Sequence, residues 1–430
     1  MLPDPIRCDR VWRFRNLIFS MTSTKPRIAF VTQRCGLEVN GGAESLCLQI
    51  GLHMSAHWDV EIITTCALDY VRWENHYPEG LETVEGVSIR RFAVNEPRES
   101  KHFDALSAEL VAKGSSASLD KQEDWMRAQG PISAELLRFL EENRTDYSAF
   151  IFFGYLYATT YFGLPLVKDR AYLAPLAHDE WPIYFPMWDA IFSLPQGFIF
   201  QTPEELIFLQ ERFPAIALEG PISGIGIETP KRLDPARFRE SYCLLQPFLL
   251  YAGRIDASKG CDEMFAWFLG RTQTNLPPYK LVLIGRETLP VPFADNIVYL
   301  GFVSEEEKWN AMAACDWMIL PSRYESLSIS LLETWAAGRP CLVNAGSEVL
   351  RGHCQRANGG FWFRNWEECE SLLRSVDDKT KTMLGRQGRD YVRNNYSWSR
   401  IESEFLHTIG SPQAEGKIAR TVTNVVAPER

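Results

Sequence analysis

The chain has 430 residues, 46% of them hydrophobic and 23% charged. That is the composition of a soluble globular protein, too long for one ordinary domain because single cores stop growing near roughly 250–300 residues. A net charge of −10 argues against a nucleic-acid-binding surface. The ten cysteines and seven histidines form neither a CxxC pair nor an HExxH spacing, so reduced thiols in a cytosol are expected and no metal site is legible.

Residues 1–24 read as an N-terminal extension, in which Arg7, Arg10, Arg13 and Arg15 beside an apolar patch match either a targeting segment or an early start ahead of Met21. The first strand is expected at Arg27 to Thr32. It is followed by Asn40-Gly41-Gly42-Ala43-Glu44, paired glycines that open a helical pattern and let backbone approach a ligand closely, although the same tripeptide is also an ordinary turn. Further short apolar runs, Val60 to Thr65, Val87 to Val94, Phe150 to Gly154, Ala171 to Ala177 and Gly197 to Gln201, have the composition of strands buried on both faces of a parallel sheet. The uncharged run Ala149 to Val167 approaches membrane-spanning length, but Gly154, Gly163 and Pro165 interrupt it, and it reads as a buried strand plus a buried helix. At the end of the fifth run stands Leu176-Ala177-His178-Asp179-Glu180. His178 is placed there either to hydrogen-bond a ligand or as a satisfied structural histidine; Asp179 and Glu180 either bind acceptor hydroxyls or cap the next helix.

A stretch rich in Gly, Pro and charge, Glu219 to Pro247, separates this series from a second one: Phe248 to Ala252, Lys280 to Ile284, Ile297 to Leu300, Trp317 to Leu320 and Cys341 to Val343. Two doubly wound α/β units joined by one linker follow, and such sheets bind ligands beyond the carboxyl ends of their strands. The first strand of the second series runs into Gly253-Arg254-Ile255-Asp256-Ala257-Ser258-Lys259-Gly260. A guanidinium and an ammonium on one loop suit a diphosphate, although a solvated basic turn looks the same. The strand Trp317 to Leu320 runs into Pro321-Ser322-Arg323-Tyr324-Glu325-Ser326-Leu327-Ser328-Ile329-Ser330-Leu331-Leu332-Glu333. A helix from about Ser328 to Ala337 aims its first amides at the cleft as an anion site, with Ser326 and Ser328 available as caps. Glu333 lies about one and a half turns inside that helix, within reach of a sugar ring, and Glu325 stands in the loop before it. The competing reading is a pair of capping boxes, Ser322 with Glu325 and Ser330 with Glu333. The segment Arg351 to Phe363 borders a nucleotide without a residue-level role, and Ser371 to Ile409 is expected to be helical.

The ordered set Gly253, Arg254, Lys259, Gly260, Glu325 and Glu333 resembles the retaining GT-B glycosyltransferases of family 4, from about residue 27 to 409. The resemblance implies two Rossmann-like domains facing across a cleft. Their bounds are 25–222 for the acceptor domain and 223–393 for the donor domain, followed by a C-terminal helix at 394–410 and a tail at 411–430. It implies that Arg254 and Lys259 hold the diphosphate of a UDP- or GDP-sugar, that Glu325 contacts the transferred hexose and that Glu333 binds the ribose hydroxyls. Gly41 and Gly42 lie against the donor phosphates, Gly253 shapes the phosphate loop, the amides of Ser326, Leu327 and Ser328 hold sugar and phosphate, and His178 touches the donor sugar. Many members carry glycine after the first glutamate, where this chain has Ser326 and Ser328. The expected catalytic groups are Glu325, His178, Arg254 and Lys259, with no metal and no cofactor besides the donor. The acceptor is a glycan, a lipid-linked molecule or a small molecule, the pathway cell-surface polysaccharide assembly, and the location the cytoplasm, with peripheral attachment at the inner membrane face. The alternatives are a nucleotide-sugar epimerase or phosphorylase on the same architecture, or a sugar-nucleotide-binding scaffold without catalysis.

Overall fold

The structure is a computed structural model and describes residues 25–39, 41–270 and 279–410. The expected extension at 1–24, the tail at 411–430 and Asn40 lie outside the described residues. Among the described residues thirteen strands form two sheets. The first holds β1 (Arg27–Arg34), β2 (Asp59–Thr65), β3 (Gly80–Val84), β4 (Val87–Phe92), β5 (Ala149–Phe153), β6 (Ala171–Ala174) and β7 (Gly197–Phe198) in the order β3-β4-β2-β1-β5-β6-β7. The second holds β8 (Phe248–Ala252), β9 (Lys280–Ile284), β10 (Ile297–Tyr299), β11 (Trp317–Leu320), β12 (Cys341–Asn344) and β13 (Gly360–Phe363) in the order β10-β9-β8-β11-β12-β13. Every pairing is parallel except β3 with β4.

The central strands β5, β8 and β11 are buried at every position. Helices cover both faces of such a sheet, so the sequence needs apolar side chains on both, and each fully buried Leu, Ile or Phe contributes roughly 1.5–3 kcal/mol. In each sheet the chain reverses its direction of travel beside one strand: β1 lies between β2 and β5, and β8 lies between β9 and β11. The crevices at these two reversal points are where open α/β sheets take ligands.

One expected strand is shorter than its apolar run, and two strands are additional. The run Ala171 to Ala177 stays in the sheet only to Ala174, and Leu176 turns out of it with a left-handed φ of 55°. β3 and β13 were not anticipated. β3 is an edge strand with four of its five residues exposed, so it carries no apolar run to read.

The last two helices, Asp378–Asn395 and Trp398–Ile409, carry the chain from the second domain back onto the first. The Trp398 indole stacks on His53 at 3.5 Å between ring centres. Glu402 lies between His53 Nδ1 (3.4 Å) and His57 Nε2 (3.2 Å). Between the two helices the Ile227 amide donates to the Tyr396 carbonyl at 2.8 Å, which binds this second crossing to the linker. Among the described residues no helix is long and apolar enough to cross a membrane.

Phe405 on the last helix is fully buried in the cluster that includes Phe30 and Ile50 of the first domain. Phe405→Ala is expected to cost about 3–5 kcal/mol, read as a lower urea midpoint; an unchanged midpoint would show that the returning helix adds nothing to stability.

Candidate functional site

After β1 the chain enters the helix Gly42–Met54 through Gly41, whose φ of −178° is ordinary extended backbone. A β-carbon there would sit 2.0 Å from Glu44 Oε2 and 3.0 Å from Arg34 Nη2, so any larger residue displaces those side chains. Glu44 and Arg34 are both buried, and Glu44 Oε1 accepts from Arg34 Nε at 2.6 Å and from Gln33 Nε2 at 2.8 Å. Gly42 has nothing within 4 Å of its β-carbon position, so its packing does not demand glycine.

Opposite, the turn after β8 carries Arg254 and Lys259. Gly260 takes a left-handed φ of 73°, and a β-carbon on it would lie 2.8 Å from the Pro321 carbonyl oxygen. This close approach draws the loops after β8 and β11 together, so that Lys259 Nζ donates to Glu325 Oε1 at 2.8 Å and to the Tyr324 carbonyl at 3.2 Å. Arg254 lies over the Tyr70 ring, 4.5 Å from its centre, with Nε 3.4 Å from Asp256 Oδ2. Burial alone raises the Asp256 pKa. Hydrogen bonds from Ser258 and Thr288 and the nearby Arg254 charge outweigh that and bring it to about 2.

Tyr70 joins the two domains. Its hydroxyl donates to Asp256 Oδ2 at 3.1 Å, its ring also faces Arg34 at 5.5 Å, and its carbonyl accepts from Arg98 Nη1 at 3.0 Å. His178 closes the other side of the cleft, edge-on to the Tyr324 ring at 5.5 Å. Its Nδ1 lies 3.3 Å from Glu180 Oε1, which also accepts from Tyr155 Oη at 2.8 Å. Burial opposes the imidazolium, but the Glu180 carboxylate outweighs it and holds the His178 pKa above the ordinary value. Asp179 accepts from Tyr184 Oη at 2.7 Å, and neither acidic side chain caps the short helix Trp181–Tyr184.

The helix after β11 runs Ile329–Ala336. Ser328 occupies its N-cap position, but with φ 67° and no side-chain cap bond, so the capping expected of it is not made. Neither capping box forms: Ser322 Oγ donates to the Tyr324 carbonyl, Glu325 serves Lys259, and Glu333 accepts from Lys308 Nζ at 2.9 Å. Burial works against the Lys308 charge, and the Glu333 and Glu305 carboxylates more than offset it, raising its pKa. The helix therefore presents its first amides without a side-chain cap, whereas Ser304, Ser347, Asn365 and Asp377 each cap another helix of this domain.

Gly41, Arg254, Lys259, Glu325 and His178 thus converge on the cleft through Arg34, Tyr70 and Tyr324, while Glu333 stands apart on its helix with Lys308. Four supporting residues had not been singled out. Tyr70 and Lys308 carry no motif. Glu205 is fully buried, accepts from the Ala177 amide (2.8 Å) and the Gln201 amide (2.6 Å), and so fixes the backbone that leads to His178; burial pushes its carboxyl up to about 7. Its only sequence signal is the Thr202-Pro203-Glu204-Glu205 helix start. His353 is buried, and its Nε2 lies 3.1 Å from the Leu327 carbonyl. A carbonyl only accepts, so Nε2 carries the proton, and the ring anchors the loop between Glu325 and the helix.

Residues 243–383 match the family model described as glycosyl transferases group 1. The sulfoquinovosyl transferase SQD2 of Arabidopsis thaliana is 25% identical over 164 residues, 36% of this chain and 31% of that protein. The chain spans less than half the length of the curated relatives it matches. Among solved structures, a sucrose-phosphate synthase from Thermosynechococcus elongatus superposes with a TM-score of 0.65 at 17% identity, covering 89% of this chain and 98% of its own. Anabaena HepE in complex with UDP-glucose gives 0.64 at 11% identity, covering 90% and 100%. At these identities the likeness establishes the fold, which is GT-B.

Burial lowers the His353 pKa from 6.5 to about 3, with Arg356 adding to the effect. The unfolded chain takes up a proton near 6.5 and the folded chain does not until about 3, so this contribution to stability is complete above pH 6.5 and is lost as pH falls from there. Urea unfolding is expected to lose about 1.4 kcal/mol per pH unit from this group. His353→Gln, which keeps a donor for Leu327 without titrating, should have a shallower slope; equal slopes would exclude the assignment.

Proposed function

We propose, from the match of residues 243–383 to the group 1 glycosyltransferase model and from the GT-B fold, that the protein transfers a hexose from a UDP- or GDP-sugar to an acceptor hydroxyl, with retention of anomeric configuration. The observation that carries this reading is the Lys259–Glu325 contact at the meeting of the β8 and β11 loops, with Arg254 on the same turn. A diphosphate entering beside the uncapped start of the helix Ile329–Ala336 meets the two cations and orphan amides, which are the groups that stabilise charge on a leaving phosphate. Lys259 then turns from one carboxylate to a more highly charged partner, and Glu325 is freed to accept from sugar hydroxyls. Glu333, held by Lys308, is placed to accept from ribose hydroxyls with its remaining acceptor capacity. His178, kept basic by Glu180, faces the sugar from the first domain. The UDP-glucose in the Anabaena neighbour supports a UDP-sugar as donor. In this reading the cations take the part a metal ion plays elsewhere, and the acceptor is a glycan or lipid-linked molecule met from the first-domain side, at the inner membrane face.

In the transfer step the bond from the anomeric carbon to the donor phosphate oxygen breaks, its electron pair staying with the diphosphate. The acceptor oxygen attacks the same face, and its proton passes to the departing phosphate oxygen. A double displacement requires a carboxylate on the opposite face. Glu325 lies beside Lys259, on the leaving-group side, and Asp179 is engaged by Tyr184.

Lys259→Ala and Arg254→Ala are each expected to lower turnover by roughly 10²–10³, about 2.7–4 kcal/mol of transition-state stabilisation, with melting temperatures unchanged; near-normal turnover in both would remove the diphosphate assignment. NMR analysis of the product formed from an α-linked donor should show an α-linkage. A β-linkage would instead identify an inverting enzyme using His178 or Asp179 as base.

A further inference from the structure

A cavity of about 580 Å³ opens at the carboxyl ends of β12 and β13, and all of its lining residues belong to the second domain. Three guanidinium groups, Arg323, Arg351 and Arg364, line it against one carboxylate, Glu263. Trp366 supplies an aromatic wall, backed by the buried Phe363, and the Trp366 ring is held in place by stacking on Trp267 at 4.5 Å between centres. Two ten-residue helices, Glu348–Ala357 and Trp366–Ser375, begin at its rim and add the positive ends of their dipoles.

Among the described residues each of these arginines pairs with a surface carboxylate. Arg351 pairs with Glu348 three residues away, and Arg364, just before the next helix, pairs with Glu368 four residues away, exposed ion pairs of the kind that contribute little. Arg323 pairs with Glu263, both largely exposed. A phosphate dianion offers each guanidinium a fork-matched, doubly charged partner in place of a solvated carboxylate. The cavity is several times larger than a phosphate, and its aromatic wall suits the C–H face of a sugar or polyol.

We propose that this cavity is a second ligand site, distinct from the cleft, for a soluble phosphomonoester of about hexose size. Its phosphate lies among Arg323, Arg351 and Arg364 and its carbon skeleton against Trp366. Arg323 directly precedes Tyr324 and Glu325, whose oxygens hold Lys259, so a ligand drawing Arg323 from Glu263 acts on the loop that borders the cleft.

The test is calorimetry on the full chain with glucose 6-phosphate, inorganic phosphate and glucose as probes, together with hydrogen exchange. Glucose 6-phosphate should bind most tightly, phosphate more weakly and glucose not measurably. Arg351→Gln and Arg364→Gln should each weaken glucose 6-phosphate by roughly tenfold or more, and Arg374→Gln, an equal charge change on the same domain, should not. Exchange should slow at residues 344–351 and 363–368. Absence of binding, equal binding in all variants, or protection at residues 253–260 instead would each overturn the proposal. None of these readouts depends on glycosyl transfer, so the proposal and the cleft assignment fail separately.

Discussion

A site that must receive a diphosphate has to keep cations charged and in place while nothing anionic is bound, and in this chain each cation is held by a carboxylate. Lys259 is held by Glu325, Arg254 by Asp256, Arg34 by Glu44 and Lys308 by Glu333. An unpaired cation in a half-buried cleft either loses its charge or moves to water. Pairing prevents both, and it also positions the carboxylates, which become the acceptors for sugar and ribose hydroxyls once the cations turn to phosphate. The Gly260 approach to Pro321 sets the geometry of the first pair, and the returning C-terminal helices keep the two halves of the site facing each other.

The fold was legible because parallel sheets covered on both faces require continuous apolar strands. Five such runs after the linker fell on β8 to β12, with residues 248–252, 280–284 and 317–320 matching at both ends. What escaped was the exposed edge strand β3, which needs no such run, and the strand β13, whose four apolar residues are too few to stand out from the preceding helix. The departure of Leu176 from the sheet also escaped, because its left-handed turn is imposed by the hydrogen bonds Glu205 makes to its surroundings, which no local pattern announces.

Of the candidate site, the charged groups were readable because Arg254, Lys259 and Glu325 stand on loops directly after strands and Glu333 in the helix that follows the second of those loops. Their supports were not. Lys308 sits in a helix whose sequence reads as a solvated acidic face, His353 in one that shows only an amphipathic period, and Tyr70 in a loop without strand or helix. Each acquires its role from a contact across 25 or more residues of sequence. The helix start at Ser328 shows the converse: its serines read as caps, yet the backbone turns left-handed there and the hydroxyl makes no cap bond.

The stacking of Trp398 on His53, and of Glu402 between His53 and His57, means that the first domain is finished by the last helix described. During synthesis the amino-terminal half emerges and folds long before residues 398–409 exist, with the face that will receive Phe405 and Ile401 still bare to solvent. Until residues 398–409 have been translated, that face of the nascent half has no partner, and a ribosome stalled anywhere in the second domain would leave it to chaperones or to aggregation.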